Sequence, residues 1–124
     1  MKQELEATVY KIAQIIEQND TKNQVTSSIM QTFKKSLYKI LYNRYKRDWF
    51  PEKPFKASGF RCIRINKRQL DNNIAQAAEE AFKSPKGSKI IHDILDFELT
   101  MWVDPYECTY RIESMSIKTY YVSL

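Results

Sequence analysis

The side chains able to do covalent or acid–base chemistry are few in this chain of 124 residues: one histidine, His92, and two cysteines, Cys62 and Cys108. A serine or cysteine nucleophile needs an imidazole within reach, itself oriented by an acid. His92 stands in Ile91-His92-Asp93 on a short helical segment, where an ordinary helix position accounts for it better than a general base. The cysteines lack C-x-x-C spacing, and with a single histidine they do not assemble a zinc site. Asp71, Asp104 and Glu107 could serve as metal carboxylates, but their spacing matches no metal loop, and helix-cap and turn roles explain the first two better. The chain holds only two glycines, so it has no phosphate-cradling glycine loop. These residues point away from catalysis and from any metal or organic cofactor.

Recognition is better represented. Glu98 to Ile112 reads E-L-T-M-W-V-D-P-Y-E-C-T-Y-R-I, two strands joined by a proline turn. Strand side chains alternate between faces. Leu99, Met101 and Val103 therefore share one face, and Thr100, Trp102 and Asp104 the other. A tryptophan between threonine and aspartate, opposite an apolar row, belongs at a surface. A large exposed aromatic usually serves a partner. Phosphate chemistry is the second prospect. Net charge is +5, and residues 22–68 hold 13 basic against 2 acidic residues. Lys34, Lys35, Lys39, Arg44, Lys46 and Arg47 lie on or just after a predicted helix, interleaved with Tyr38, Tyr42 and Tyr45. Basic groups beside aromatic rings can hold phosphates and stack on single-stranded bases.

The elements that must position these residues follow from periodicity. Leu5, Val9, Ile12, Ala13 and Ile16 form one helical stripe. Asn19-Asp20 breaks it, and Thr21 or Asn23 is placed to cap a second helix. Val25, Ile29, Phe33, Leu37, Ile40, Leu41 and Tyr45 continue the same period. The short connection predicts an antiparallel pair. Pro51 and Pro54 end the helix, and Ser58-Gly59 signals a turn. Phe60 to Asn66 reads as a strand, with Arg61, Ile63 and Ile65 on one side and Phe60, Cys62 and Arg64 on the other. Asp71 is the expected N-cap of a helix from Asn72 to Lys83, whose many alanines let it sit close to a sheet. Ser84 to Ser88 reads as a loop, with Ser88 capping a short helix that carries Ile90, Ile91, Ile94 and Leu95. A last strand runs from Ser116 to Val122. Both cysteines are expected in the core. The fold class is α+β: an N-terminal antiparallel helix pair and further short helices packed on a small antiparallel β-sheet.

Composition sets the outer bounds. The chain is 43% hydrophobic and 13% aromatic, which suits one packed domain. No apolar run reaches the ~18 residues of a membrane span. The start, M-K-Q-E-L-E-A, has acids where a signal peptide needs an apolar core. An intracellular protein with reduced cysteines is the expectation.

Two blocks carry a family resemblance. R-Y-K-R-D-W-F-P-E-K-P-F-K-A-S-G-F-R-C-I-R-I-N, residues 44–66, and the block at residues 98–112 resemble box A and box B of the BTG/Tob antiproliferative family. They stand in the family's order, with a helix-rich spacer between them, and the resemblance covers essentially residues 1–124 as one domain. It implies a non-enzymatic adaptor whose boxes bind the Caf-type deadenylase subunit of the CCR–NOT complex. Such adaptors promote poly(A) shortening, mRNA decay and translational repression, and restrain cell proliferation. Several members also act as transcriptional co-regulators, so transcription factors are further partners to expect, in both cytoplasm and nucleus. A monomer is the expected state. Carried over by position, the aromatic leading the box A strand is Phe60, the box B tryptophan is Trp102, followed by Asp104, and the aspartate just after box A is Asp71. Tyr106, in the turn, joins them as a candidate contact.

The sequence also departs from the family pattern. Ala57 stands where glycine is common, Asp71-Asn72 replaces Asp-Pro, and Glu113-Ser114 replaces a glycine turn, which predicts a longer or looser hairpin. The chain stops at Leu124, directly after the last strand. Larger members engage poly(A)-binding protein with a long tail, so that partner is not expected here. Two other readings remain open: direct RNA binding by the basic middle segment, and co-regulator docking through Ile91 to Leu95, a degraded L-x-x-L-L helix.

Overall fold

The computed structural model describes residues 1–123. Helix α1 (Lys2–Asn19) buries the predicted stripe of Leu5, Val9, Ile12, Ala13 and Ile16, with Ile15 added. Helix α2 (Ser27–Tyr45) buries Met30, Phe33, Leu37, Leu41 and Tyr45 against it. The start of α2 differs from expectation. Thr26 is the cap, its Oγ1 accepting from the Ile29 N–H at 3.2 Å. Asp20 occupies the intervening turn, its two carboxylate oxygens accepting from the N–H groups of Gln24 and Val25 at 3.0 and 2.9 Å. That bidentate turn satisfies the backbone of residues 24 and 25 outside a helix, so α2 cannot begin until Thr26.

A single 3-10 turn (Ser58–Arg61) leads into strand β1 (Cys62–Ile65), so the predicted strand loses Phe60 and Arg61 to the turn. Helix α3 (Asn72–Phe82) begins as expected, with the Asp71 carboxylate accepting from the N–H groups of Asn73 and Ile74. Its alanine face, however, packs on α2 and α4 rather than on the sheet. Helix α4 (Lys86–Ile94) starts earlier than expected, because Ser84 rather than Ser88 meets the free Lys86 N–H, at 3.1 Å. The alanines of α3 and the glycine of α4 meet: a Cβ placed on Gly87 would fall 2.4 Å from the Ala78 carbonyl oxygen.

Strands β2 (Leu99–Asp104), β3 (Glu107–Ile112) and β4 (Lys118–Val122) join β1 in one antiparallel sheet of order β1-β2-β3-β4. Ile63, Ile65, Leu99, Met101, Val103 and Cys108 are each no more than 1% exposed. They form the face on which α1 lies, across β2, β3 and β4. Each such side chain contributes roughly 1.5–3 kcal/mol relative to exposure, so the register is fixed; a one-residue slip would turn the whole apolar row outward. Thr8 Oγ1 and the Tyr120 hydroxyl, 2.8 Å apart, tie α1 to β4. Burial pushes the Cys108 thiol up to about 11, which leaves it protonated and inert at neutral pH.

The departures at residues 57 and 113 have a backbone meaning. Ala57 and Glu113 adopt left-handed φ values of 62° and 53°, the region that glycine enters without penalty. The Glu113 N–H donates to the Glu98 carbonyl at 2.8 Å, closing the sheet end despite the missing glycine.

Candidate docking cleft

The cleft is organised from beneath by Arg61, a charged side chain with 0% exposure. A guanidinium carries five N–H donors in a fixed fork, and all five are used. Nε donates to the Val103 carbonyl at 2.6 Å. One terminal nitrogen donates to the carbonyls of Asp48 and Lys56, and the other to the Pro54 carbonyl and the Asp104 carboxylate, the last at 2.9 Å. The guanidinium also lies 5.3 Å from the ring centre of Trp49. One side chain thus ties the proline-rich connection after α2 to the end of β2. Lys56 Nζ over the Phe50 ring, at 4.4 Å, adds an outer contact to the same connection.

Asp104 is therefore not a surface residue. It was expected to share the exposed face of Trp102, but its carboxylate is buried at the strand end and neutralises Arg61. Burying a guanidinium is costly without such a partner, and the connection that Arg61 holds against the end of β2 takes Asp104 out of solvent with it.

Beside this clamp, a cleft of about 670 Å³ collects residues between Arg44 and Asn73 together with Trp102 of β2. The 3-10 turn supplies Phe60, which is 73% exposed. Trp102, half-buried on β2, pairs across the sheet with Cys62 on β1 and Thr109 on β3. Arg64 comes from β1, Arg44 from the end of α2, and Asp71, Asn72 and Asn73 from the start of α3. Cys62, expected in the core, lies half-buried beside Trp102, because the side opposite Ile63 and Ile65 has no helix over it here. Burial raises the Asp71 carboxyl, against the opposing pull of the Ile74, Asn73 and Arg64 N–H groups and the Arg44 charge. The cleft thus sets two aromatic rings, Phe60 and Trp102, among a mainly polar lining of two guanidinium groups, one carboxylate and several amides.

Of the residues singled out from sequence, Phe60, Trp102 and Asp71 meet in this cleft. Asp104 supports it from inside. Tyr106 does not line it: it sits exposed in the β2–β3 turn, with a left-handed φ of 73° and its N–H donating to Glu4 at 3.0 Å. The basic set divides. Arg44 lines the cleft, and Lys34 and Lys35 line a separate groove with Tyr38. Lys39, Lys46 and Arg47 are exposed outside both linings. Ile91, Ile94 and Leu95 are buried, so the L-x-x-L-L-like segment presents no apolar face to a co-regulator. His92 has a structural contact: its Nε2 donates to the Asn66 carbonyl at 2.7 Å and braces the loop that borders the cleft. Sequence reading overlooked the cleft roles of Asn66, Gln69 and Asn73, which are short polar residues indistinguishable from loop and cap residues along the chain.

A helix layer over a four-stranded antiparallel sheet, with an exposed aromatic cleft beside box A and box B, defines the class of protein. The family described as "BTG family" matches residues 1–122, and the chain belongs to it. Among curated relatives, human BTG1 is 49% identical over 92 residues, covering 74% of this chain and 52% of BTG1. Rat BTG2 is 43% identical over 93 residues, 74% of this chain and 56% of that protein. Rat BTG3 is 36% identical over 114 residues, 90% of this chain and 41% of that protein. The aligned part thus spans about half the length of these relatives. Among solved structures, the BTG/Tob domain of C. elegans FOG-3 superposes with a TM-score of 0.80 over 99% of this chain and 83% of that one. At 16% identity, that likeness speaks for the fold.

Proposed function

We propose that this chain is a non-enzymatic adaptor that docks the Caf-type deadenylase subunit of the CCR–NOT complex in the Phe60–Trp102 cleft. Docking promotes poly(A) shortening and mRNA decay, and so restrains proliferation, in cytoplasm and nucleus. One observation carries the reading: two large aromatics from separate elements stand solvent-accessible in one cleft whose loop is locked from inside by Arg61. Rigid aromatic anchors with charged residues at their rim are how protein interfaces concentrate affinity. Family membership and the identity to BTG1 and BTG2 support the same choice. The test is binding of the purified chain to the purified nuclease. Trp102→Ala, an anchor worth about 2 kcal/mol, should weaken the complex roughly 30-fold with the circular dichroism spectrum retained. Unchanged affinity in a folded Trp102→Ala protein would remove the cleft from the interface. A deadenylation assay with the same pair then reports whether docking stimulates the nuclease.

A further inference from the structure

The opposite flank of the molecule carries a second accessible surface, built on different chemistry. Tyr10, on the outer side of α1, is 65% exposed. It stands on the divide between two open grooves. One, of about 1000 Å³, runs between α1 and the edge strand β4, and its lining includes Lys11, Gln14, Tyr110, Lys118 and Tyr121. The other, of about 410 Å³, runs between α1 and α2, and its lining includes Val9, Lys34, Lys35 and Tyr38. Tyr42, 43% exposed, extends that second groove: its ring lies 6.4 Å from that of Tyr38 and within 18° of parallel.

The charges on this flank are one-sided. Lys11, Lys34, Lys35 and Lys118 face the two grooves, against the single acid Glu6. That carboxylate already has Lys2 beside it at 3.8 Å. Lys34, Lys35 and Lys118 make no ion pair among the described residues. Helix α2 itself contains no acidic residue. Flat rings set among unpaired ammonium groups match a ligand with both phosphates and flat bases. A peptide bearing acids alone would engage the lysines, whereas a nucleic acid strand engages lysines and tyrosine faces together.

We propose that this Tyr10-centred flank binds single-stranded RNA. Tyr10, Tyr38 and Tyr42 stack on bases while Lys34, Lys35 and Lys118 neutralise phosphates, and Gln3 and Gln14, whose Oε1 atoms already accept from Tyr121 and Lys11, offer their amide N–H groups to the ribose. The choice of RNA over DNA rests on the adaptor reading above; the phosphate-and-base chemistry does not. The flank shares no lining residue with the Phe60–Trp102 cleft, so nuclease and RNA can be held together. The adaptor then contributes to keeping the substrate strand near the docked enzyme.

The test is fluorescence anisotropy of a labelled oligo(A) RNA with the full chain, in the absence of nuclease. Saturable binding at about 50 mM salt should weaken roughly 20–50-fold at about 200 mM, the change expected for three or four phosphates neutralised on a single strand. Tyr10→Ala should weaken it about tenfold, within the range for one stacked base. Lys34→Ala combined with Lys35→Ala should weaken it and flatten the salt slope. All three positions are on helix surfaces, and an unchanged melting temperature verifies folding. Trp102→Ala should leave RNA affinity unaltered while it weakens nuclease docking, so the two readings fail separately. No binding at low salt would overturn the proposal, as would Tyr10→Ala binding like the wild type. Competition by poly-glutamate as effective as by unlabelled oligo(A) would reassign the flank to acidic proteins. Equal affinity for oligo(dA) would overturn the choice of RNA.

Discussion

Phe60 and Arg61 are neighbours in the chain, and each reverses the usual placement of its type. The phenylalanine is 73% exposed and the arginine fully buried. The outer side of this segment leaves apolar surface uncovered; the inner side takes a charge out of water and satisfies every one of its donors. An exposed aromatic on a mobile loop would collapse onto the nearest apolar surface. Held by a planar fork with carbonyl partners on the connection and on β2, it remains available. The contrast teaches that preorganisation of the cleft resides beneath it, in groups that no partner would touch.

Breaking the inner side should have the largest effect. Arg61→Met leaves the Asp104 carboxylate and four carbonyls without their donor. A loss of about 3–5 kcal/mol, or roughly 10–20 °C in Tm by calorimetry, is expected. Arg61→Lys keeps the charge but not the fork, and should recover only a minor part of that loss. Breaking the outer side should do the reverse. Trp102→Ala should cost about 2 kcal/mol of docking by titration calorimetry, with a smaller stability loss than Arg61→Met. Phe60→Ala sharpens the contrast further: docking about tenfold weaker, with stability within about 0.5 kcal/mol of the parent by urea denaturation. Ala57→Gly, in the same segment, should raise stability by about 0.5–1 kcal/mol by relieving a left-handed alanine. The smallest effect is electrostatic. Burial raises the Asp71 carboxyl above its usual 3.8, so the folded state binds a proton more tightly than the unfolded chain. Stability from this group falls as pH rises from about 3.8 through the raised value. Asp71→Asn retains an N-cap and removes that dependence. Its stability relative to the parent should rise across the same pH window and then stay level.

The helix stripes, the Asp71 cap and the antiparallel run at the end of the chain were legible because each rests on local spacing. Trp102 was legible as an outward residue from strand alternation, and Phe60 and Asp71 from the resemblance of the two boxes. What eluded the sequence was long-range. Arg61 was placed on the inward side with Ile63 and Ile65, but its five partners lie at residues 48, 54, 56, 103 and 104. No local pattern announces a guanidinium that gathers them. Asp104 was misplaced for the same reason: alternation gives the face of a strand residue but not what the distant connection and Arg61 bring over it. Cys62 was put in the core because its residue type usually belongs there. Alanines along α3 indicated close approach correctly, but periodicity does not name the neighbours, which are α2 and α4 rather than the sheet.

The two glycines divide along the same line. Gly59, in the turn that presents Phe60, has nothing within 4 Å of a would-be Cβ and no left-handed φ. Gly87 has no such room against Ala78. A saturation scan read by folding stability should therefore return a nearly flat profile at position 59, inside the box that names the family, and near-total intolerance at position 87, in a spacer that carries no motif at all. Tolerance to substitution will track the seam between α3 and α4, and ranking positions by motif membership alone would misjudge both.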